Sequence, residues 1–310
     1  MSVGQVYAGR YELVDVLGSG GMGDVWRAWD RREQRFCAAK VLRQSDSASL
    51  LRFVRESSWR IEHPHVVVPT GWVGEDDQVL FAMPIVSGGS VATVLSDHGT
   101  VPWSWARPVL GQVLDALATV HEAGIVHRDV KPANVLLRPT GSAEPFALLS
   151  DFGIAWHRDE PRLTRATESI GTQGYQAPEA VLGGDPAPAQ DLYAVGVLAR
   201  QMLGEVPVGS VLERLLDDDP ARRPDAVSAR AELAHVRLTD PDGEPVEVFD
   251  QLPPWPNGWG DTGPVSAPPP PPQGAPRQRS PRRTIRRETV VAAVLGVVGV
   301  ALLVAAAIAW

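Results

Sequence analysis

Cysteine is almost missing from this chain of 310 residues, Cys37 being the single example. One thiol excludes an intramolecular disulfide framework and suits a reducing compartment. Cys37 lies in an apolar stretch and reads as a small buried residue on a strand. Surplus positive charge is missing too: 29 Lys and Arg face 37 Asp and Glu, giving a net charge of −8 and a sequence pI of about 5.4. Bulk charge therefore gives nucleic-acid binding no support. The N-terminus lacks the charged-then-apolar pattern of a secretory signal segment. What is present is a chain 44% hydrophobic, enough for a sizeable core in one large domain or two small ones.

The charge is unevenly spread. Six arginines crowd residues 277–287, Glu288 follows, and residues 290–309 then carry no charge before Trp310. At 1.5 Å per residue a helix over that run is about 30 Å long, the hydrocarbon thickness of a bilayer. The expectation is one transmembrane helix over 289–310, with the arginines holding the preceding chain in the cytoplasm and Trp310 at the far interface. The basic flank also suits anionic headgroups. Residues 240–288 hold Leu252-Pro253-Pro254-Trp255-Pro256-Asn257-Gly258-Trp259-Gly260 and the prolines of 268–272. Proline removes backbone donors and favours extended chain. The segment reads as a semi-stiff, largely disordered juxtamembrane linker, with Trp255 and Trp259 as aromatics on a tethered tail.

The chemistry lies in His127-Arg128-Asp129-Val130-Lys131-Pro132-Ala133-Asn134, followed by Ser150-Asp151-Phe152-Gly153. These are the groups needed to move a phosphoryl group from a metal-bound nucleotide to a hydroxyl. Asp129 can accept or orient the hydroxyl proton, and Lys131 can neutralise charge on the transferring phosphate. Asn134 and Asp151 supply oxygens to magnesium, which keeps waters and so needs few protein ligands. Upstream, the β-rich residues 11–17 run into Gly18-Ser19-Gly20-Gly21-Met22-Gly23-Asp24-Val25. Glycines let backbone N–H groups approach phosphates closely. Two more strand-like stretches follow, 26–30 and 35–42, where a helix would have suggested a dinucleotide-binding fold. Lys40 on the second of them would set a cation on the α and β phosphates.

In their order these motifs resemble the eukaryotic-type protein kinases, and most of all bacterial serine/threonine kinases of the actinobacterial type. The resemblance runs from Leu17 to about Arg223. It implies an α+β, bilobal protein kinase fold: a small β-rich N-lobe with the hinge over 1–86, then a larger helical C-lobe over 87–239. It implies ATP with Mg2+, or Mn2+ in its place, as cofactor, and transfer of the γ-phosphate to Ser/Thr hydroxyls of protein substrates. Copies would also phosphorylate one another in trans. Nucleic acid has no part in it.

Residue by residue, the resemblance puts Leu17, Gly18, Ser19, Gly20, Gly21, Met22, Gly23, Val25, Ala38, Lys40 and Leu136 around the nucleotide. Met83 would guard the back pocket. Pro84 keeps the carbonyl that its hinge position offers to adenine, and Val86 supplies the N–H. Asp129 and Lys131 are catalytic, Asn134 and Asp151 hold metal, and Lys40 pairs with Glu56 on a helix over 50–62. Arg128 implies control by phosphorylation of the following loop, with Thr164, Thr167 and Ser169 as acceptor candidates. Thr172 would bond near Asp129 and Lys131, and Glu179 would pair with Arg223. The Lys131-Pro132-Ala133-Asn134 wording favours Ser/Thr over Tyr.

Two stretches depart from that pattern. The segment from Glu56 to His63 is about two residues shorter than usual, and two residues turn a helix by roughly 200°. After Glu205 the usual substrate-docking helix is missing, since 206–210 lead directly to 211–216. Residues 103–122 read as a long core helix, with Leu110, Val113, Leu114, Leu117 and Val120 at helical spacing. The competing reading is a pseudokinase scaffold that binds nucleotide and a partner protein at the membrane. Retention of Lys40, Asp129, Lys131, Asn134 and Asp151 together speaks against it, because a scaffold has no chemical need for all five.

Overall fold

The computed structural model describes residues 2–20, 23–43, 61–75, 78–151, 156–157, 174–240 and 245–265. Gly21, Met22, Glu56, Thr164, Thr167, Ser169, Thr172 and the uncharged run 290–309 lie outside the described residues.

Six strands form one antiparallel sheet in the order β1-β2-β3-β4-β6-β5. They are β1 (Val6–Tyr7), β2 (Tyr11–Gly20), β3 (Gly23–Asp30), β4 (Arg35–Arg43), β5 (Gly71–Glu75) and β6 (Gln78–Met83). Side chains alternate between the faces of a strand. Along β4 this sends Cys37, Ala39 and Val41 into a small core with Tyr7, Tyr11, Leu13, Ala28 and Leu80. The intervening Ala38 and Lys40 share the opposite face with their register partners Met83 and Phe81, and Phe81 belongs to the main core. Burial pushes the Cys37 thiol up to about 12, so it is an inert core residue. At the tip of the β2–β3 hairpin Gly23 has φ +118, and a Cβ there would lie 2.7 Å from the Val41 carbonyl oxygen. Only glycine fits.

The helical part begins with α1 (Val91–His98), whose N-cap Ser90 accepts from the Thr93 amide and whose C-cap is Gly99. Next comes α2 (Trp103–Glu122), with Leu110, Val113, Leu114, Leu117 and Val120 all buried. β7 (Ile125–Val126) leads into the loop of Asp129, and a 3-10 turn at Pro132–Asn134 leads into β8 (Val135–Leu137). β8 pairs with β9 (Ala147–Leu149), and β7 with β10 (Trp156–His157). Then follow α3 (Pro178–Val181), α4 (Pro188–Leu203), α5 (Val211–Leu215) and α6 (Ala226–Leu233). One core joins α4, α5 and α6 around α2, including Leu117, Leu192, Val195, Leu198, Leu212, Leu215 and Leu233. Only residues 204–210 separate α4 from α5, and α5 lies directly on α4: a Cβ on Gly196 would meet Leu216 Cδ2 at 2.9 Å.

Two expectations are corrected here. Ile61 and Glu62, the end of the expected helix over 50–62, are irregular. The linker read over 240–288 is not a spacer at 245–265, because that stretch packs on the domain. Val246 and Val248 are 5% and 2% exposed and belong to the main core. Trp259 opens a small hairpin of β11 (Trp259–Gly260) and β12 (Gly263–Pro264). Prolines only remove donors, and the apolar side chains between them supply the burial that seats the segment. Among the described residues no helix is long and apolar enough to cross a membrane.

Candidate active site

The loop between β7 and β8 is held from below by one carboxylate. Asp191, on α4, is 1% exposed. It accepts from the amides of His127 and Arg128 and from His121 Nε2, all at 2.8 Å. Burial pushes the Asp191 carboxyl up, but the His121 bond and charge, His127 and the Arg128 amide together outweigh it, and the net shift is downward. Arg128 has φ +69, a left-handed conformation costing a non-glycine residue about 1 kcal/mol or more. The Asp191 bonds to this amide and its neighbour hold the strained turn.

His127 is fully buried. Its Nε2 lies 2.9 Å from the Ser150 carbonyl oxygen, and the Asp129 amide donates to Nδ1 at 3.3 Å. A carbonyl only accepts, so the proton is on Nε2 and the ring is neutral. Burial lowers the His127 pKa, in agreement with that tautomer. His127 thus ties the Asp129 loop to the strand end that carries Asp151.

Asp129 is 4% exposed. Its Oδ2 accepts from Asn134 Nδ2 at 2.8 Å and lies 2.7 Å from Lys131 Nζ. Asn134 Nδ2 also donates to the Asp129 carbonyl at 2.8 Å, and the Asn134 carbonyl accepts from the Ser150 amide and hydroxyl at 2.8 and 3.0 Å. These bonds commit the amide nitrogen of Asn134 and leave its side-chain oxygen to other partners. Asp151, like Arg128, has positive φ, +71. Its Oδ1 is ion-paired with Lys40 Nζ, which joins the sheet to the helical part. The partner expected for Lys40, Glu56, lies outside the described residues.

The donor set fits magnesium. Asn134 and Asp151 offer hard oxygen atoms, and Mg2+ is usually held by one or two such groups together with waters and phosphate. Among the described residues no cluster of three His, Cys, Asp or Glu could hold a metal ion, so a soft or all-protein site has no basis there. Above this centre, Val25 pairs with Lys40, and Ala38 with Met83, leading into Pro84 and Val86. Leu136 lies on β8, paired with Leu148. Leu17, Gly18, Ser19 and Gly20 belong to β2. An apolar stretch ahead of the buried Lys40, the half-buried Lys131 and their two carboxylates suits a nucleotide, base inward.

Farther down, Arg223 is held on all sides. Nη1 and Nη2 donate to Glu179 at 2.7 and 2.9 Å, Nε to the Asp217 carbonyl at 2.8 Å and Nη1 to the Ala189 carbonyl at 2.9 Å. The guanidinium lies 5.0 Å from the Tyr193 ring centroid.

Sequence reasoning missed three residues of this region. Asp191 stands outside the motifs singled out in the sequence, although a carboxylate amid Leu192, Ala194 and Val195 signals a buried acceptor. His121 signals nothing by spacing. Arg27, 1% exposed on β3 and bonded through Nε to Asp15 at 2.7 Å, looks in sequence like any exposed strand cation.

The family model of the protein kinase domain matches residues 11–213. The chain belongs to the protein kinase domain family. It is 38% identical over 240 residues to serine/threonine-protein kinase PkaA of Streptomyces coelicolor, covering 70% of this chain and 44% of PkaA. It is 34% identical over 253 residues to serine/threonine-protein kinase PknA of Mycobacterium tuberculosis, 76% of this chain and 58% of that protein. PkaB of Streptomyces coelicolor is 40% identical over 210 residues, 64% of this chain and 50% of PkaB. The chain spans about half the length of the curated relatives it matches.

Proposed function

We propose that the chain is a serine/threonine protein kinase, anchored by one membrane helix over 289–310 with the kinase domain in the cytoplasm. The observation that carries the enzymatic reading is the bonded set of Asp129, Lys131 and Asn134, with Asp151 and Lys40 paired beside it. MgATP would supply the phosphoryl group, its β–γ phosphoanhydride bond breaking and ADP leaving as the new bond to the hydroxyl oxygen forms. Asp129 orients a substrate Ser or Thr hydroxyl and takes its proton as the oxygen attacks. Lys131, bonded to the same carboxylate, neutralises charge on the phosphate passing between them. Asn134 and Asp151 would hold magnesium, and Lys40 would bind phosphate oxygens of the nucleotide. The kinase names of the relatives and the order of the motifs support this reading. Substrates are proteins, including other copies of the chain, whose Thr164, Thr167 or Ser169 would accept phosphate.

Membrane anchoring rests on the sequence alone, on the uncharged run of 290–309 and the arginines before it. Phosphate transfer is tested on the full chain in detergent with labelled MgATP, against Asp151→Asn. Label in the protein or in a basic protein substrate, lost in the variant, supports the kinase. Nucleotide binding without transfer would favour the scaffold.

A further inference from the structure

Residues 245–265 lie beyond the part matched by the family model, yet they run from the helical lobe past the hinge onto the N-lobe sheet. The lower grip is Val248, which exchanges two backbone hydrogen bonds with Gly141, both 2.9 Å. At the hinge the Gln251 amide donates to the Ser87 carbonyl at 2.7 Å, and the Ser87 hydroxyl donates to Asp250 at 3.0 Å. Two glycines give the segment room. A Cβ on Gly88 would lie 2.8 Å from Val248 Cγ1, and one on Gly89 2.5 Å from Gln251 Oε1.

The upper grip is Arg27. Its Nη2 donates to the carbonyls of Pro253 and Pro254 at 3.2 and 3.4 Å. Prolines keep that acceptor and carry no N–H, so a Pro-Pro step can face a buried cation without stranding a donor. The Trp255 ring centroid lies 4.1 Å from the Arg27 guanidinium carbon and 4.4 Å from the Phe36 ring. Trp259 rests against Trp29 at 6.3 Å. Gly263, at φ +122, comes so near Trp29 that a Cβ would lie 2.7 Å from its ring.

We propose that residues 245–265 are an interlobe strap, and that Arg27 and Trp255 act through it as positioning residues for the nucleotide. Arg27 pairs with Ala38, and Ala38 with Met83; register partners share a face of the sheet. Val25, two residues before Arg27, shares it too. The strap therefore grips the face that carries Val25 and Ala38, and its other grip falls on Ser87, just after the hinge. It sets the gap between the roof of the adenine site and the hinge. Without it that gap is left to the β4–β6 pairing and the Lys40–Asp151 ion pair. The strap grips Gly141, Ser87, Arg27 and Trp29, which lie outside the phosphoryl-transfer set, so its release weakens nucleotide binding more than the chemical step. The effect on affinity rests on the kinase reading above; the strap itself does not.

The test uses the full chain and Trp255→Ala, with Trp255→Phe as the conservative variant. Hydrogen exchange is followed over 84–89 and 245–265, and kcat and KM for MgATP are measured. In the alanine variant exchange rises in both segments and KM rises about tenfold, the factor that ~1.4 kcal/mol gives. The kcat value stays within about twofold, the signature of lost binding rather than lost chemistry. Phenylalanine keeps a ring over Arg27 and restores most of the affinity. Unchanged exchange at 84–89, or raised exchange with unchanged KM, overturns the proposal. A wild-type chain that binds no MgATP sinks the kinase reading, and exchange at 84–89 then decides the strap alone. If Trp255→Ala does not fold, Ser87→Ala with Gln251→Ala removes the side-chain bonds at the hinge, Ser87 to Asp250 and Gln251 Nε2 to the Gly88 carbonyl at 3.4 Å, and a KM equal to wild type in that folded variant overturns the strap.

Discussion

Lys40 is bonded to Asp151, so the sheet's buried cation lies against the carboxylate that the kinase reading gives to magnesium. The two side chains come from β4 and from the residue after β9, and they join across the cleft. Lys40 and Lys131 are the only lysines in the chain; every other one of its 29 cationic residues is arginine. Both lysines lie beside the two aspartates of the site. An ammonium is a compact point charge, whereas a guanidinium is a wide planar fork. In a chain that otherwise uses arginine throughout, these two positions hold the smaller group.

Lys40→Arg therefore tests size at constant charge. The fork cannot occupy the space of an ammonium that is 6% exposed without shifting β4 or Asp151. Turnover is expected to fall about 100-fold, the usual effect of misplacing a reacting group by about an ångström. Labelled-phosphate transfer by the variant measures it, and wild-type turnover would show that charge alone suffices.

Asp151→Asn removes the partner of a buried ammonium. A buried charge left without its counterion is destabilising, and Asp151 is 28% exposed, so the expected loss is about 1–3 kcal/mol. Urea denaturation checks it. An unchanged midpoint would mean that Lys40 turns to another acceptor.

The acid side of the stability curve is expected to open near neutrality. His127 has its pKa lowered by burial, so below about pH 6.5 the unfolded chain binds a proton that the folded chain refuses. Stability falls as pH drops through that window. Asp191 acts lower down: its pKa is depressed in the fold, so its contribution is present above its ordinary value of 3.8 and is lost below it. His63, also lowered chiefly by burial, adds to the first effect. His127→Gln removes one titration and keeps a donor for the Ser150 carbonyl. Its stability between pH 7 and 5 should fall less steeply, by up to ~1.4 kcal/mol per pH unit. An equal slope in wild type and variant would assign the acid limb to other groups.

Much of the fold was legible because it follows short-range patterns. Leu110, Val113, Leu114, Leu117 and Val120 mark α2 by spacing, and Gly18, Gly20 and Gly23 mark the hairpin tip between β-forming runs. The groups around Asp129 were legible because their chemistry lies within a few residues of chain. The support beneath them was not. His121 meets Asp191 across 70 residues of sequence, and Arg27 meets Pro253 across 226. Nothing in local pattern encodes such pairs. The stretch 245–265 misled for a different reason: its prolines dominate composition, while Val246, Val248, Trp255 and Trp259 decide where it goes.

Arg223→Lys should cost stability in spite of its conserved charge. The Arg223 side chain is 0% exposed and makes a two-pronged bond to Glu179 plus bonds to the Asp217 and Ala189 carbonyls. Lysine cannot reproduce the fork and leaves buried acceptors without donors. A loss of about 2–4 kcal/mol is expected from thermal or urea unfolding. A loss below ~0.5 kcal/mol would mean that water replaces the missing bonds.

Where the folded unit ends is the last point open to measurement. Ending the chain after residue 240 removes Val246 and Val248, each buried in the core that surrounds α2. Burying a valine side chain contributes about 1.5–3 kcal/mol, and Gly141 loses both of its bonds to Val248. The shortened chain should therefore unfold at lower urea than one ending at Val265, by at least ~3 kcal/mol in extrapolated stability. Residues 1–265 form one compact unit, so the chain ending at Val265 is the reference for the comparison. Equal midpoints for chains ending at 240 and 265 would place the valines outside the cooperative core. A midpoint that drops only for the shorter chain would make residues 245–265 part of the kinase fold.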